Sequence, residues 1–173
     1  IFDQGEKYSC RKPTCGVGCD CERYIELWNL VFMQFNKTEF GKLEPLPAPS
    51  VDTGMGLERT CAVLQNLDSN YETDLFFPII AKLEKLSKKK YYPDHRGISF
   101  RVIADHIRAL TFCIADGVIP SNEGRGYVVR RILRRAARHG KLLNLPTPFL
   151  YQLSDMVVEM LGNYYPEIKA KKK

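Results

Sequence analysis

Long hydrophobic runs are missing from this 173-residue sequence. No apolar stretch approaches the roughly 18–20 residues that a membrane-spanning helix needs, so we expect no membrane partner. The first residues are polar and include neither an initiator methionine nor the hydrophobic segment of a secretory leader. We therefore interpret the sequence as the interior of a longer protein. No internal repeat is present either.

Acidic residues are scarce in one segment, residues 96–141, which contains nine arginines and one lysine but three acids. Outside it, 16 basic groups stand against 17 acidic ones, although the whole chain carries a net charge of +6. Such a local excess of positive charge indicates a localised anionic partner. The final Lys-Ala-Lys-Lys-Lys is interpreted as a solvated tail. The 45% hydrophobic and 27% charged fractions are ordinary for a globular protein with a real core.

The first part of the chain is rich in strand signals. An aromatic and β-branched run over residues 22–36 predicts a strand that is buried on both faces. A turn is expected at residues 36–41, and three prolines at positions 45, 47 and 49 favour an extended linker or an edge strand. Residues 51–53 are then expected to form a short strand that leads into a helix over about residues 56–66.

From residue 73 onward the pattern becomes helical. Thr73 or Asp74 is expected to cap the first helix, and Ser99 the second, which Gly117 ends. A third helix is predicted over residues 124–140, and a fourth carries apolar residues at helical spacing between residues 149 and 161. The predicted fold is α+β, with a strand-rich part over residues 1–70 and a helical part over residues 71–173.

The third predicted helix is strongly two-sided. At about 100° per residue, five arginines fall within about 140° of arc. The opposite side is filled by apolar residues, which are Val128, Val129, Ile132, Leu133, Ala136 and Ala137. The arginines are Arg130, Arg131, Arg134, Arg135 and Arg138. Like charges at this spacing repel one another, and an anionic partner would relieve the repulsion. A solvated surface is the alternative, but we favour a helix that contacts phosphates, whose binding weakens with salt and carries little sequence information.

The loop before this helix, Pro-Ser-Asn-Glu-Gly-Arg-Gly at residues 120–126, is a candidate for base recognition. Asn122 offers both a hydrogen-bond donor and an acceptor. Gly124 and Gly126 would let the backbone approach a nucleic acid closely, with Arg125 between them. An asparagine in an ordinary turn before a helix is the alternative.

A glycine-paired corner occupies residues 49–59, Pro-Ser-Val-Asp-Thr-Gly-Met-Gly-Leu-Glu-Arg. Glycines 54 and 56 allow close backbone approach to a ligand, and the N-terminus of the following helix attracts an anion. Arg59 adds a planar fork that suits phosphate, while Asp52 can hold an ammonium group. The motif predicts a site for a phosphorylated ligand beside a cation, with an ordinary strand–turn–helix corner as the alternative.

Residues 51–59 resemble motif 3 of the class II aminoacyl-tRNA synthetases, and the longer string resembles the alanyl-tRNA synthetases in particular. The same family resemblance extends to Asp-Cys-Glu-Arg-Tyr-Ile-Glu-Leu-Trp-Asn-Leu-Val-Phe-Met-Gln-Phe-Asn at residues 20–36 and to Ile-Ala-Asp-His-Ile-Arg at residues 103–108. Residues 115–127, Ala-Asp-Gly-Val-Ile-Pro-Ser-Asn-Glu-Gly-Arg-Gly-Tyr, also resemble it. The resemblance implies the C-terminal part of a class II antiparallel sheet, followed by a helical tRNA-recognition domain.

The resemblance also implies roles for individual residues. Trp28 would line the alanine pocket and Asp52 would hold the alanine ammonium. Gly54, Met55, Gly56 and Arg59 would contact ATP, with Mg²⁺ as cofactor and Arg59 as the catalytic group. The implied reaction is attack of the alanine carboxylate on the α-phosphate of ATP, then alanyl transfer to tRNA.

For RNA, the resemblance implies that Asn122 reads a G·U pair in the acceptor stem of tRNA(Ala). Motifs 1 and 2 of the class, and the editing motif of the family, have no match in the sequence. We therefore expect that the chain alone does not aminoacylate. A non-catalytic module that binds the acceptor stem is the alternative, and an unrelated helical nucleic-acid-binding domain is a third.

Four cysteines lie within twelve residues, at Cys10, Cys15, Cys19 and Cys21. Four thiols could bind Zn²⁺ tetrahedrally, although the spacing is not the usual pair of Cys-x₂-Cys motifs. Reduced thiols and a disulfide are the alternatives. Cys61 and Cys113 are interpreted as small core residues, and free thiols fit a cytoplasmic location.

Overall fold

The computed structural model describes residues 1–171 and divides the chain into two compact units, Ile1–Leu64 and a second that begins at Gln65. The first unit contains β1 (Phe2–Asp3), β2 (Tyr24–Ile25), β3 (Trp28–Lys37), β4 (Leu43–Met55) and α1 (Leu57–Leu64). The second contains α2 (Phe77–Ser87), α3 (Ile98–Ala115), α4 (Gly124–Leu142), α5 (Leu150–Leu161) and α6 (Pro166–Ala170). The predicted α+β fold class is confirmed.

Two antiparallel strand pairs form the first unit. In the short pair, Phe2 lies opposite Ile25 and Asp3 opposite Tyr24. In the long hairpin, β3 pairs with β4 from Trp28 opposite Met55 to Lys37 opposite Leu43, with an irregularity between Met33 and Phe35. β4 then passes directly into α1, so the strand and helix expected at the corner are both present.

The prediction that residues 22–36 form a strand buried on both faces is wrong. Every residue of β3 is exposed, including Phe32, with 72% of its surface accessible, and Trp28, with 54%. A two-stranded ribbon has no second layer of its own to bury either face. The prediction of a strand is confirmed, but burial of its apolar side chains would require a layer of structure outside this ribbon.

The three prolines of β4 do not interrupt the strand, which runs continuously from Leu43 to Met55. They are tolerated because β4 is bonded on one side alone in this two-stranded sheet. A linker, one of the two expectations for this segment, is therefore excluded, and an edge strand is found.

The core of the second unit lies among α2, α3, α5 and the loop that precedes α5. Fully buried side chains come from each helix, and they include Ile79, Ile80, Leu83, Phe100, Ile103, Leu153 and Val157. α4 packs along α3 and contributes the buried residues Val129 and Ala136. Gly140 of α4 faces the ring of Phe149 so closely that a Cβ there would lie 2.2 Å from it.

The predicted side-chain caps of the first two helices are wrong. Thr73 is fully buried in the turn before α2, where its hydroxyl donates to the carbonyl of Asn70 at 2.6 Å. α2 begins later, at Phe77, with a proline in its first turn. Ser99 lies inside α3, and its Oγ is 3.0 Å from Nδ1 of His139 on α4. In both cases a tertiary or turn contact uses the hydroxyl that would have capped the helix.

The described residues of the C-terminal lysine-rich segment, 169–171, are all exposed, as the prediction of a solvated tail expects. They are not free of structure, because Lys169 and Ala170 belong to α6 and Lys171 Nζ donates to the carbonyl of Ala115. Residues 172–173 lie outside the described part. No helix between residues 1 and 171 is long and apolar enough to cross a membrane.

Candidate functional site

The corner between β4 and α1 is fixed by two hydrogen bonds to the segment that joins β2 and β3. The backbone N–H of Gly56 donates to the carbonyl of Leu27 at 2.9 Å. Arg59 Nη1 donates to the carbonyl of Glu26 at 2.8 Å. The arginine is exposed and is held beside the glycine pair, so its guanidinium is oriented before any ligand binds.

The corner is open at its glycines. A Cβ placed on Gly54 would meet nothing within 4 Å, and the atoms nearest to one on Gly56 would be those of the Arg59 side chain, at 3.4 Å and beyond. Neither glycine has a positive φ. Both positions therefore leave the backbone accessible, as a closely approaching ligand would require, without needing glycine for the turn itself.

The hairpin register separates the two residues predicted to line an alanine pocket. Asp52 lies opposite Val31, whereas Trp28 lies opposite Met55. Because side chains alternate along a strand, Asp52 and Val31 share one face of the ribbon and Trp28 lies on the other. The structure therefore places Trp28 and Asp52 on opposite faces of the ribbon, and Val31 is the β3 residue opposite Asp52. No role was predicted for Val31, because its pairing with Asp52 depends on the hairpin register and not on a local pattern.

The arginine-rich face of α4 comprises Arg130, Arg131, Arg134, Arg135 and Arg138. All but Arg130, which is half-buried, are exposed. Val129 and Ala136 on the opposite side are buried, while Ile132 and Leu133 are half-buried. The apolar face is narrower than predicted, because Val128 and Ala137 at its two edges are exposed. The guanidinium groups are thus displayed on one side of a helix whose other side is anchored in the protein.

A pocket of about 450 Å³ adjoins this arginine face. It is lined by Val128, Ile132, Arg131, Arg134, Arg135 and His106. His106, on α3, has its Nδ1 2.9 Å from a carboxylate oxygen of Asp105. His106 belongs to a motif that carries the family resemblance, but no role was predicted for it. Its position beside three arginines makes it part of the same candidate surface.

The loop before α4 is bonded to the helix. Asn122 is exposed, and its Oδ1 accepts a hydrogen bond from Nη1 of Arg130. Ser121 closes the loop, because its backbone N–H donates to the carbonyl of Gly126 at 3.1 Å and its hydroxyl donates to the carbonyl of Glu123 at 2.9 Å. The candidate base-reading residue is therefore tied to the candidate phosphate-binding face.

Gly124 and Gly126 both lie in the first turn of α4, and they differ in what surrounds them. Gly124 has a φ of +54° and open space around it, so it remains a place where a partner could approach. Gly126 is buried, and a Cβ there would lie 2.4 Å from the carbonyl oxygen of Ile119 and 2.3 Å from Ser121 Oγ. The expectation that Gly126 admits a nucleic acid is wrong, since its missing side chain makes room for the loop itself. Arg125, between the two glycines, is exposed.

The pKa of His139, near the end of α4, is affected by the arginine face. Burial, and then the charges of Arg135 and Arg138, hold the pKa of His139 below its usual value of 6.5. His106 contributes in the same direction. Because the folded chain binds this proton less readily than the unfolded chain, the contribution of His139 to stability is full above pH 6.5 and is lost as the pH falls through the folded pKa.

We expect the pKa of His139 to rise when Arg135 and Arg138 are both replaced by alanine, because two like charges are removed. It should stay below the usual value, since burial, the largest cause, remains. An NMR pH titration of the imidazole carbon-bound protons measures this directly. An unchanged pKa in the double variant would show that the two guanidinium groups do not act on this ring.

The four clustered cysteines converge in the loop between β1 and β2. Their sulfur atoms all lie within 4.8 Å of one another, and none is disulfide-bonded. Cys10 Sγ is 3.6 Å from Cys19 Sγ, and Cys15 Sγ is 3.7 Å from Cys21 Sγ. Hydrogen bonds from the backbone of Arg23 and then of Cys10 lower the pKa of the Cys21 thiol to about 7. The disulfide, one of the alternatives, is not formed between any of these thiols. Cys61 and Cys113 are half-buried, so the interpretation of both as core residues is wrong.

Comparison with known proteins agrees with this architecture. A family model described as tRNA synthetases class II (A) matches residues 1–173. A curated alanine–tRNA ligase of Desulfosudis oleivorans is 57% identical over 170 residues, which cover 97% of this chain and 19% of that protein. An alanine–tRNA ligase of a Thermoanaerobacter species is 56% identical over 168 residues, covering 96% of this chain and 19% of the relative.

The chain belongs to the class II tRNA synthetase family. Its similarity to alanine–tRNA ligases confirms the resemblance drawn from the sequence motifs. It spans about a fifth of the length of the curated relatives that it matches, 19% in each case. Enzymes of this class generally use ATP and Mg²⁺, so ATP, Mg²⁺ and tRNA are the candidate ligands for the open corner and the arginine face.

Proposed function

We propose that this chain is the part of an alanine–tRNA ligase that binds the acceptor stem of tRNA(Ala) and forms one side of the site for alanine and ATP, in the cytoplasm. The observation that carries the proposal is the arginine face of α4, where four of five guanidinium groups are exposed on one side of an anchored helix. Isolated exposed arginines are common, but five on one face without an acid between them favour a polyanionic partner.

The phosphate backbone of the stem is the ligand that this face fits. Guanidinium groups bind phosphate through paired N–H donors, and each neutralised phosphate releases condensed counterions. His106 and three of the arginines line one pocket, so a phosphate there would meet several donors at once. These contacts position the stem and carry no sequence information by themselves.

Sequence recognition is assigned to Asn122. Its Oδ1 already accepts from Arg130, so the amide group of Asn122 is left as a donor toward solvent. The wide, shallow minor groove of an A-form stem presents base edges that a loop side chain can reach. Because Arg130 holds Asn122, recognition of a G·U pair by the Asn122 amide would be coupled to binding of the RNA phosphate backbone by Arg130. Arg125, in the first turn of α4, would add a phosphate contact.

The corner of the first unit would hold alanine and ATP. Asp52 would bind the alanine ammonium on the face that it shares with Val31, and the open backbone at Gly54, Met55 and Gly56 would contact the nucleotide. Arg59 would neutralise charge as the alanine carboxylate attacks the α-phosphate and pyrophosphate leaves. The reactants, once held in line, need no protein nucleophile.

Mg²⁺ would enter with the ATP phosphates. Among residues 1–171, the single group of three or more potential metal ligands is the cysteine cluster, so the corner provides no carboxylate set that would bind Mg²⁺ by itself. Mg²⁺ in such sites is commonly held by one or two carboxylates together with substrate phosphates. The ion would supply charge neutralisation at the phosphates, and Arg59 would act beside it.

A non-catalytic module that binds the acceptor stem is the alternative. It is favoured by the exposure of both faces of the hairpin, which leaves Asp52 and Trp28 in contact with solvent. Both functions require the arginine face, but they differ in whether adenylate chemistry occurs on this chain.

The division of roles between base and phosphate contacts is testable with Asn122→Ala. We expect the variant to lose most of its preference for a hairpin with a G·U pair over one with G·C, a difference of about 1–3 kcal/mol, while general RNA affinity changes little. Fluorescence anisotropy with the two hairpins measures both quantities. Equal weakening toward both hairpins would assign Asn122 to general binding instead.

A further inference from the structure

We propose that Cys10, Cys15, Cys19 and Cys21 bind one Zn²⁺ ion in a tetrahedral site with four thiolate ligands. The site is separate from the arginine face and from the glycine corner. It therefore stands or falls independently of the proposed function.

The separations of the sulfur atoms match the geometry that the ion requires. A zinc–sulfur bond of about 2.3 Å gives edges of about 3.8 Å in a regular tetrahedron. Two of the edges measure 3.6 and 3.7 Å, and all six lie within 4.8 Å. Small shifts of side chains would bring the remaining edges to the ideal length without moving the backbone.

The backbone explains how an unusual spacing produces this convergence. The N–H of Cys15 donates to the carbonyl of Lys12 at 2.9 Å, and the N–H of Cys19 donates to the carbonyl of Gly16 at 3.0 Å. Two successive turns therefore each end in a cysteine. Cys10 and Cys21 approach from the two flanking segments. Cys19 therefore lies against Cys10, and Cys21, two residues further on, lies against Cys15.

The two alternatives for these thiols fit less well. A disulfide needs its sulfur atoms at about 2.05 Å, far shorter than the two contacts here. Four half-buried thiols gathered within 4.8 Å would serve no packing purpose in a loop that contains no buried hydrophobic residue. Tetrahedral sites with four sulfur ligands select zinc or iron. Four protein ligands that leave no open coordination position are typical of structural zinc. Arg11 and Lys12, which follow Cys10, would offset part of the negative charge of the thiolates.

The site would brace the strand pair that leads to the glycine corner. β1 and β2 pair through two residues each, supported by the bonds of Arg23 to the carboxylates of Asp3 and Glu6. β2 begins three residues after Cys21, and the next carbonyls, of Glu26 and Leu27, accept from Arg59 and Gly56. A metal at Cys21 would thus stabilise the segment whose carbonyls bind the glycine corner.

Metal analysis of the purified chain tests the proposal. We expect one zinc per chain by mass spectrometry, and loss of that zinc in Cys15→Ser and in Cys19→Ser. Cys61→Ser and Cys113→Ser, which alter half-buried cysteines outside the cluster, are the matched controls and should keep it. Cobalt added to the metal-free chain should give the absorption bands of tetrahedral cobalt thiolate, with the same dependence on the four residues.

A second measurement covers the case in which a serine variant unfolds the loop. The backbone N–H of Gln4, just after β1, donates to the carbonyl of Arg23, just before β2, at 2.7 Å. Chelation of the metal from the unaltered chain should speed its hydrogen exchange by roughly tenfold or more, while amides in α3 keep their protection. Less than half an equivalent of zinc, stoichiometric iron in its place, equal zinc in the Cys15→Ser and Cys61→Ser variants, or a mass deficit from disulfides would each overturn the proposal.

Discussion

Replacing Arg134 and Arg138 together with alanine is expected to weaken binding of an acceptor-stem hairpin about 10- to 100-fold at roughly 0.1 M salt. Both guanidinium groups are exposed on the anchored helix α4, and Arg134 lines the pocket beside His106. Each lost phosphate contact should also lower the slope of log affinity against log salt by about 1. Titrations by fluorescence anisotropy at several salt concentrations give both values.

The control removes the same two charges elsewhere in the second unit. Lys85 and Lys90 are exposed, the first on α2 and the second in the loop that follows it. Their double replacement by alanine should change affinity less than threefold, because neither lysine belongs to the arginine face of α4 and exposed charges that make no phosphate contact are largely screened at this salt. Equal losses in the two double variants would mean that net charge alone, and not the face of α4, governs RNA binding.

Alanine-dependent exchange between ATP and pyrophosphate is expected to be undetectable for this chain alone. The corner contributes one oriented guanidinium, Arg59, whereas a triphosphate and a leaving pyrophosphate require several cationic contacts. The faces of the hairpin are also open to water, as the 72% exposure of Phe32 indicates, which weakens every electrostatic interaction at Asp52 and Arg59.

Radiolabelled pyrophosphate exchange is the measurement, with a full-length alanine–tRNA ligase as the positive control. Clear exchange that depends on alanine and is abolished by Arg59→Ala would contradict this expectation, and it would reject the non-catalytic alternative at the same time. Exchange that survives Arg59→Ala would instead indicate a contaminating enzyme.

The helical unit was largely readable from the sequence because its signals are local. The period of the arginines in α4, the left-handed Gly117 after α3 and the apolar stripe of α5 all depend on near neighbours. The caps were misread where a distant group competes for the hydroxyl. Ser99 contacts His139, 40 residues away, and no local pattern contains that information.

The strand-rich unit was less readable because its errors concern partners and register. The apolar run of β3 predicted a strand correctly, but burial depends on layers that the run itself does not specify. Trp28 and Asp52 were grouped because both matched family positions, yet the continuous register from Trp28 opposite Met55 to Val31 opposite Asp52 places them on different faces. The cysteine spacing, in turn, revealed the number of thiols and not the two turns that bring them together.

The most direct test of the account is a map of the chain's contacts with RNA. In the chain labelled with ¹⁵N, the side-chain Nε–H signals of Arg131, Arg134, Arg135 and Arg138 should shift in a saturable way as an acceptor-stem hairpin with a G·U pair is added. The amide side chain of Asn122 should shift for this hairpin more than for its G·C counterpart, and signals of α2 should stay in place. Shifts that avoid α4, or that are the same for a single strand of random sequence, would contradict the claim that this arginine face is built to hold the acceptor stem.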